Sequence, residues 1–162
     1  MNFRTSRVTS LLLLLLLPLA AWSQELTGRV VRIDGDTLVV LDATNTQHKI
    51  RLAPIACPER KQPWSARAKQ VLSDYAFSRQ VRIEWDKRDR YGRTVGKVLN
   101  GGRDVNLALV RDGMCWWYRK YADEQSAVDR VLYEDAEDGA RRERRGLWSV
   151  VAPVPPWEWR RR

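Results

Sequence analysis

Residues 26–52 alternate apolar with polar side chains in short runs rich in Val, Ile and Thr, and two turn signals, Asp34-Gly35 and Thr44-Asn45, cut the runs apart. A period of two admits strands and excludes a helix over the same stretch, because alternate residues share one face of a strand whereas a helix repeats near 3.6. Three consecutive strands are predicted, over residues 29–33, 37–41 and 47–52. In the third, Ile50 and Leu52 share a face with His48, which leaves Lys49 and Arg51 on the other. The alternation stops at Pro54, and a second proline at 58 precedes Glu59. A strand end followed by a proline-restricted loop is a rigid place to hold polar side chains.

Beyond this loop the period changes. Trp64, Ala68, Val71, Leu72, Tyr75 and Ala76 recur at helical spacing, which predicts a helix over residues 64–77 with Pro63 suited to its first turn. Alternation returns at 81–86 and 94–99, separated by a polar stretch and closed by Asn100-Gly101-Gly102. Asp104 then caps a short helix over 105–111, stopped by Gly113. A long helix is predicted over 124–144, with Val128, Val131, Leu132 and Ala136 as its apolar face. Its early acids and late arginines suit the helix dipole. Five strands, one inserted helix and two closing helices point to an α+β, mainly β architecture: a five-stranded OB-fold barrel with three packed helices.

The two ends are set apart. Arg4 and Arg7 precede an unbroken run of leucines and small residues near Ser23, so residues 1–23 read as a secretory signal peptide and the mature chain begins near Gln24. The expected location is secreted or periplasmic, with no membrane association after cleavage. Residues 24–150 then form one domain, expected to be monomeric. Residues 151–162, with three prolines, two tryptophans and a terminal arginine triplet, read as an extended tail. Loss of Arg4 and Arg7, with no acid in the leader, takes the net charge from +9 to +7. A field of that size draws polyanions. Cys57 and Cys115 are the only cysteines, and an oxidising compartment makes a disulfide between them available. Such a bond would be worth about 4 kcal/mol by chain entropy. Two cysteines and one histidine are too few for a sulfur- or imidazole-based metal site.

Asp36, Arg51, Glu59 and Arg93 suit a reaction in which water attacks a phosphate ester. A guanidinium bonds two phosphate oxygens at once, and a carboxylate takes the proton of water. The four segments that carry them, IDGDT, RLAPIACPE, DRYGR and VNLALVRDGMCWWY, closely resemble the thermonuclease family, the staphylococcal-nuclease-like endonucleases, in order and spacing. The resemblance covers the mature chain to about Trp148. It implies an OB barrel with helices and calcium-dependent hydrolysis of DNA and RNA giving 3′-phosphate ends. Single strands are the expected substrate, and arginine clamps on phosphate, which carry no base information, predict little sequence specificity. Carried over position by position, it implies Arg51 and Arg93 as phosphate clamps and Glu59 as general base. Asp36 would be the calcium ligand, joined by the backbone carbonyl of Cys57 and by Glu59 directly or through water. Arg90, Tyr91 and Tyr121 match positions that hold a nucleotide, with barrel packing as the other reading of Tyr91, and Asp89 reads as the partner that orients Arg93.

One position departs from the family pattern. Ala56 stands where a second metal-binding aspartate is usual, and a methyl group ligates no cation. The alternative reading is therefore a nucleic-acid-binding OB module with weakened or lost catalysis. A third is an interaction module built on the tryptophan-rich tail.

Overall fold

The computed structural model describes residues 24–162, so the leader reading of residues 1–23 lies outside the described residues. Five strands wrap into a barrel: β1 (Gln24–Asp34), β2 (Thr37–Leu41), β3 (Gln47–Leu52), β5 (Gln80–Arg88) and β6 (Thr94–Asn100). A two-residue strand, β4 (Ile55–Ala56), lies outside the barrel order. β1 is long enough to pair with β5 through Gln24–Arg29 and with β2 through Arg29–Asp34, and a bulge between Val30 and Arg32 bends it from one partner to the other. Closure comes from a parallel pairing of β3 with β6, Ile50 opposite Thr94 and Leu52 opposite Gly96. Gly96 has no substitute there, since a Cβ would lie 2.6 Å from the Glu84 carbonyl oxygen of β5. This is the OB barrel expected from the alternation.

Val30, Leu38, Val40, Ile50, Leu52, Ile83 and Val98 are fully buried together. Each contributes about 1.5–3 kcal/mol of burial. Helix α1 (Ser65–Ala76) adds Ala68, Val71, Leu72 and Ala76 to the same core. Helix α2 (Val105–Arg111) starts at Asp104, whose side chain accepts the Leu107 N–H at 2.9 Å, and every residue from 105 to 110 is buried. A second short strand, β7 (Trp116–Trp117), pairs with β4. The disulfide Cys57–Cys115 ties the same two segments together. It closes a loop of 58 residues, worth about 4 kcal/mol of unfolded-state entropy.

Two elements differ from their expected form. The last long helix, α3, spans Ala127–Arg142 with Ser126 as its cap, and a separate 3-10 turn occupies Arg119–Glu124. Its buried face is Tyr133, Ala136, Glu137, Gly139 and Ala140, while Val128, Val131 and Leu132 are exposed. Polar side chains set this rotation: Tyr133 donates its hydroxyl to Asp104 at 2.9 Å, and Glu137 accepts from the Trp117 N–H at 3.1 Å and from Arg119 and Arg141. An apolar count cannot see a helix face built on a buried glutamate and a hydrogen-bonded tyrosine.

The final segment is also not an extended tail. Residues 151–162 fold back, form a short helix α4 (Pro156–Trp159) with Pro156 buried, and stack Trp157 on Tyr118 with centroids 4.6 Å apart and planes 4° from parallel. Val154 accepts a 2.5 Å hydrogen bond from Gln62. Tryptophans in a proline-punctuated stretch are better satisfied by burying their rings than by hydration.

Candidate active site

Strand register brings three of the four key residues to one rim of the barrel. Thr37 lies opposite Arg51 in the β2–β3 ladder, and the Leu52 N–H donates to the Asp36 carbonyl at 3.0 Å, so Asp36 sits beside Arg51. The parallel β3–β6 pairing sets Arg51 opposite Val95, two residues past Arg93. A one-residue slip of β3 would turn Arg51 into the core and Ile50 out to water.

Arg51 is held on several sides. Its Nη2 lies 2.9 Å from an Asp36 carboxylate oxygen and donates to the Ile55 carbonyl at 2.9 Å, while Nη1 donates to the Leu52 carbonyl. Burial pushes the Arg51 guanidinium below its ordinary range, and Asp36 opposes this. Burial likewise raises the Asp36 carboxyl, while Arg51 and Arg93 pull it back. The Cys57 backbone also favours the charged form of Asp36.

Arg93 is oriented from below. Its Nε donates to Asp89 at 2.7 Å and its Nη1 reaches Thr37 Oγ1 at 3.4 Å. Asp89 is fixed in turn by the backbone N–H groups of Tyr91 and Arg93, at 2.9 and 3.0 Å. Partial burial works against its charge, but these hydrogen bonds hold Asp89 below the usual carboxylate range. Asp89 is thus the orienting partner expected of it.

Glu59 sits at the far end of the 53–59 loop, with its N–H donating to Gln62 Oε1 at 2.9 Å. It lies within electrostatic reach of both Asp36 and Arg51. Its carboxylate accepts from Arg160 of the C-terminal segment. The four expected residues therefore converge, and a fifth, Arg160, joins them.

The nucleotide-contact candidates are placed less uniformly. Tyr91 is two-thirds exposed, under the guanidinium groups of Arg90 and Arg93 at 4.8 and 5.4 Å, which excludes a barrel-packing role. Tyr121 is part-exposed at the wall of a separate cavity of about 470 Å³, with Lys87 over its ring at 5.4 Å. That cavity also carries Glu84, Asp86, Glu124 and Asp129 against Lys87 and Lys97, a field that does not favour phosphate. Residues 116–121 mix aromatic with basic side chains, but Trp116 and Trp117 are both buried, so the run offers no row of stacking rings.

Gln62, Asn106 and Arg160 carried no signal in the sequence. Asn106, fully buried, accepts from the Val98 N–H at 3.2 Å and donates to the carbonyls of Ala53 and Gly96 at 2.9 and 3.1 Å. It pins the start of the 53–59 loop to the barrel.

Residues 49–150 match the family profile described as staphylococcal nuclease homologue. The chain belongs to the staphylococcal nuclease family. It is 37% identical over 155 residues to a Haemophilus influenzae protein named "uncharacterized endonuclease", covering 95% of this chain and 84% of that one. It is 39% identical over 165 residues to a Shigella flexneri protein named "micrococcal nuclease", covering 96% and 91%. A more distant likeness, 33% over 113 residues, is to the Arabidopsis thaliana "staphylococcal-like nuclease CAN1", of which it spans 33%.

Calcium, which this family resemblance implies, takes oxygen ligands. Asp36 and Glu59 are donors of that kind on one rim, whereas Ala56 is 2% exposed and offers none. Among the described residues no cluster of three His, Cys, Asp or Glu side chains forms. The donor set fits calcium in chemical type, with two carboxylates and the remainder left to backbone oxygen, water and substrate.

Proposed function

We propose that this protein is an endonuclease, exported to the periplasm or beyond the cell and acting as a monomer, that uses calcium to hydrolyse phosphodiester bonds of single-stranded DNA and RNA. The observation that carries this reading is the register of β2, β3 and β6, which gathers Arg51, Arg93 and Asp36 beside Glu59. The disulfide supports an oxidising compartment.

Arg51 and Arg93 bind the equatorial oxygens of the scissile phosphate, where negative charge grows as water adds; preorganised donors of this kind are worth roughly 3–4 kcal/mol of barrier each. Glu59 takes the proton of the attacking water. The new bond forms to phosphorus, the bond to the 5′-oxygen breaks, and that oxygen regains a proton through solvent, which leaves a 3′-phosphate. Asp36 and Glu59 would hold calcium, whose charge, when bound, polarises the phosphate and its water. Guanidinium contacts to phosphate carry no base information, so little sequence preference follows.

The buried Ala56 favours a second reading, a nucleic-acid-binding module whose catalysis is weakened or lost. One assay separates the two: cleavage of denatured DNA and RNA by protein lacking residues 1–23, in calcium, magnesium, manganese and chelator. The nuclease reading expects calcium-dependent cutting that falls about 10²- to 10⁴-fold in Glu59→Gln. It expects falls of about 10²- to 10³-fold in Arg51→Lys and Arg93→Lys. Salt-sensitive binding without cutting in any metal would establish the module instead.

A further inference from the structure

The Glu59 carboxylate has two oxygens and one hydrogen-bonding partner among the described residues. That partner is Arg160, whose Nη1 donates to Oε1. We propose that Arg160 is a positioning residue for the reaction, anchoring Oε1 of Glu59 so that Oε2 is presented to the attacking water. This rests on the nuclease reading above and adds the C-terminal segment to the active site.

The anchor is built and not incidental. The backbone of Glu59 is clamped by Gln62, which accepts the Glu59 N–H through Oε1 at 2.9 Å and donates through Nε2 to the Val154 carbonyl at 2.5 Å. Gln62 is 5% exposed, so both of its bonds are sheltered from water. Arg160 follows α4, whose Trp157 is stacked on Tyr118 and meets Trp116 edge-on at 6.5 Å. The Arg160 N–H closes the helix on the Pro156 carbonyl at 3.1 Å. The same twelve-residue segment therefore grips the glutamate twice, at its backbone through Gln62 and at its carboxylate through Arg160.

The reaction needs that grip. Glu59 stands on a loop outside the barrel ladder and is about a third exposed, so its side chain would otherwise sample several rotamers. Arg51 and Arg93, on the barrel, have ladder and ion-pair restraints of their own. Anchoring one oxygen of a carboxylate leaves the other unengaged as proton acceptor.

The test is steady-state cleavage of a denatured oligonucleotide in calcium by the wild type, Arg160→Gln, Arg160→Lys, Glu59→Gln and the double variant Glu59→Gln/Arg160→Gln. Arg160→Gln is expected to lower kcat about 10- to 30-fold, the population penalty of freeing the glutamate's rotamers, with KM nearly constant. Lysine, which keeps a charged donor group without the planar guanidinium, should restore part of the loss. In the Glu59→Gln background the same change should do nothing further, because it acts through that carboxylate. Trp157→Ala undocks the segment by another route and should reproduce the loss of kcat without adding to it. An unchanged or faster Arg160→Gln enzyme, a loss additive with Glu59→Gln, or an effect confined to KM and its salt dependence would each overturn the proposal. If Glu59→Gln itself kept full activity, the nuclease mechanism would fall first; if it lost activity while Arg160→Gln did not, only the positioning role would fall.

Discussion

The two walls of the site are made by different physics. On the barrel side, Asp36, Arg51 and Arg93 stand on or beside strands, and their side chains are roughly a fifth to a quarter exposed within a network of ion pairs and carbonyl contacts. On the loop side, Glu59 and Arg160 are a third to a half exposed and are placed by a buried glutamine and an aromatic stack. The first wall comes with the fold, so disturbing it disturbs folding. The second is an attachment, which can be loosened while the barrel stays intact. A phosphate clamp with large charge to stabilise gains from a preorganised, water-poor setting, whereas a base must reach solvent to exchange protons.

That contrast is broken or sharpened most strongly at Arg51. Arg51→Ala strips the Asp36 carboxylate of its ion-pair partner and two backbone carbonyls of their donor. The unfolding free energy should fall by about 3 kcal/mol, the lower end for breaking a buried pair because this one is not fully dry. Glu59→Ala, by contrast, removes a part-exposed pair and should stay within about 1 kcal/mol of wild type. Urea denaturation of both variants reads this directly. Equal destabilisation would erase the distinction between the walls.

Asn106 is the next most informative position. Asn106→Leu leaves the Val98 N–H and the Ala53 carbonyl without their buried partner, since Gly96 O keeps its bond from the Ala53 N–H. The expected loss is about 2–3 kcal/mol, and the loop that leads to Glu59 is released at its base. Cleavage should therefore decline along with stability, which places Asn106 at the join of the two walls. A variant destabilised to this extent but cutting at the wild-type rate would show that the loop holds its shape from its other end.

How far the sequence reveals this depends on which interactions are local. Alternation exposed the five barrel strands because period two is written in neighbouring residues, and Arg51 could be set on the outer face of β3 from Ile50 and Leu52 alone. Its meeting with Arg93 depends on a parallel closure between distant strands, for which the family motifs stood in. The rotation of α3 is hidden because Glu137 looks like a surface residue and is fully buried. Arg160 is hidden for the complementary reason. A terminal arginine triplet resembles solvated charge, and only the docking of Trp157 brings its first member to Glu59. Polar groups satisfied at long range leave no periodicity behind.

The smallest effect tests the scaffold far from either wall. Tyr133, fully buried, donates to Asp104 at 2.9 Å. Burial, followed by the charge and the hydrogen bond of Asp104 and the charge of Asp129, raises the phenol well above its ordinary value of 10.0. Asp104 itself is raised by burial, against the pull of the Leu107 N–H, Tyr133 and Lys97. A group whose folded value lies above its unfolded value stabilises fully at lower pH. That stabilisation is lost as the pH climbs past the unfolded value, because the unfolded chain releases the proton first. Wild-type stability should thus decline above about pH 10. Tyr133→Phe should lose about 1 kcal/mol at neutral pH for the missing hydrogen bond and show a shallower alkaline decline. The decline would not vanish, because Tyr75 is also raised by burial and by its bond to Asp112 and so acts in the same direction. Its rate of cleavage at neutral pH should equal that of the wild type, since nothing on this face touches the site. Parallel alkaline profiles for the two proteins, followed by thermal or urea unfolding from pH 8 to 11, would mean that the phenol does not stay protonated in the folded core.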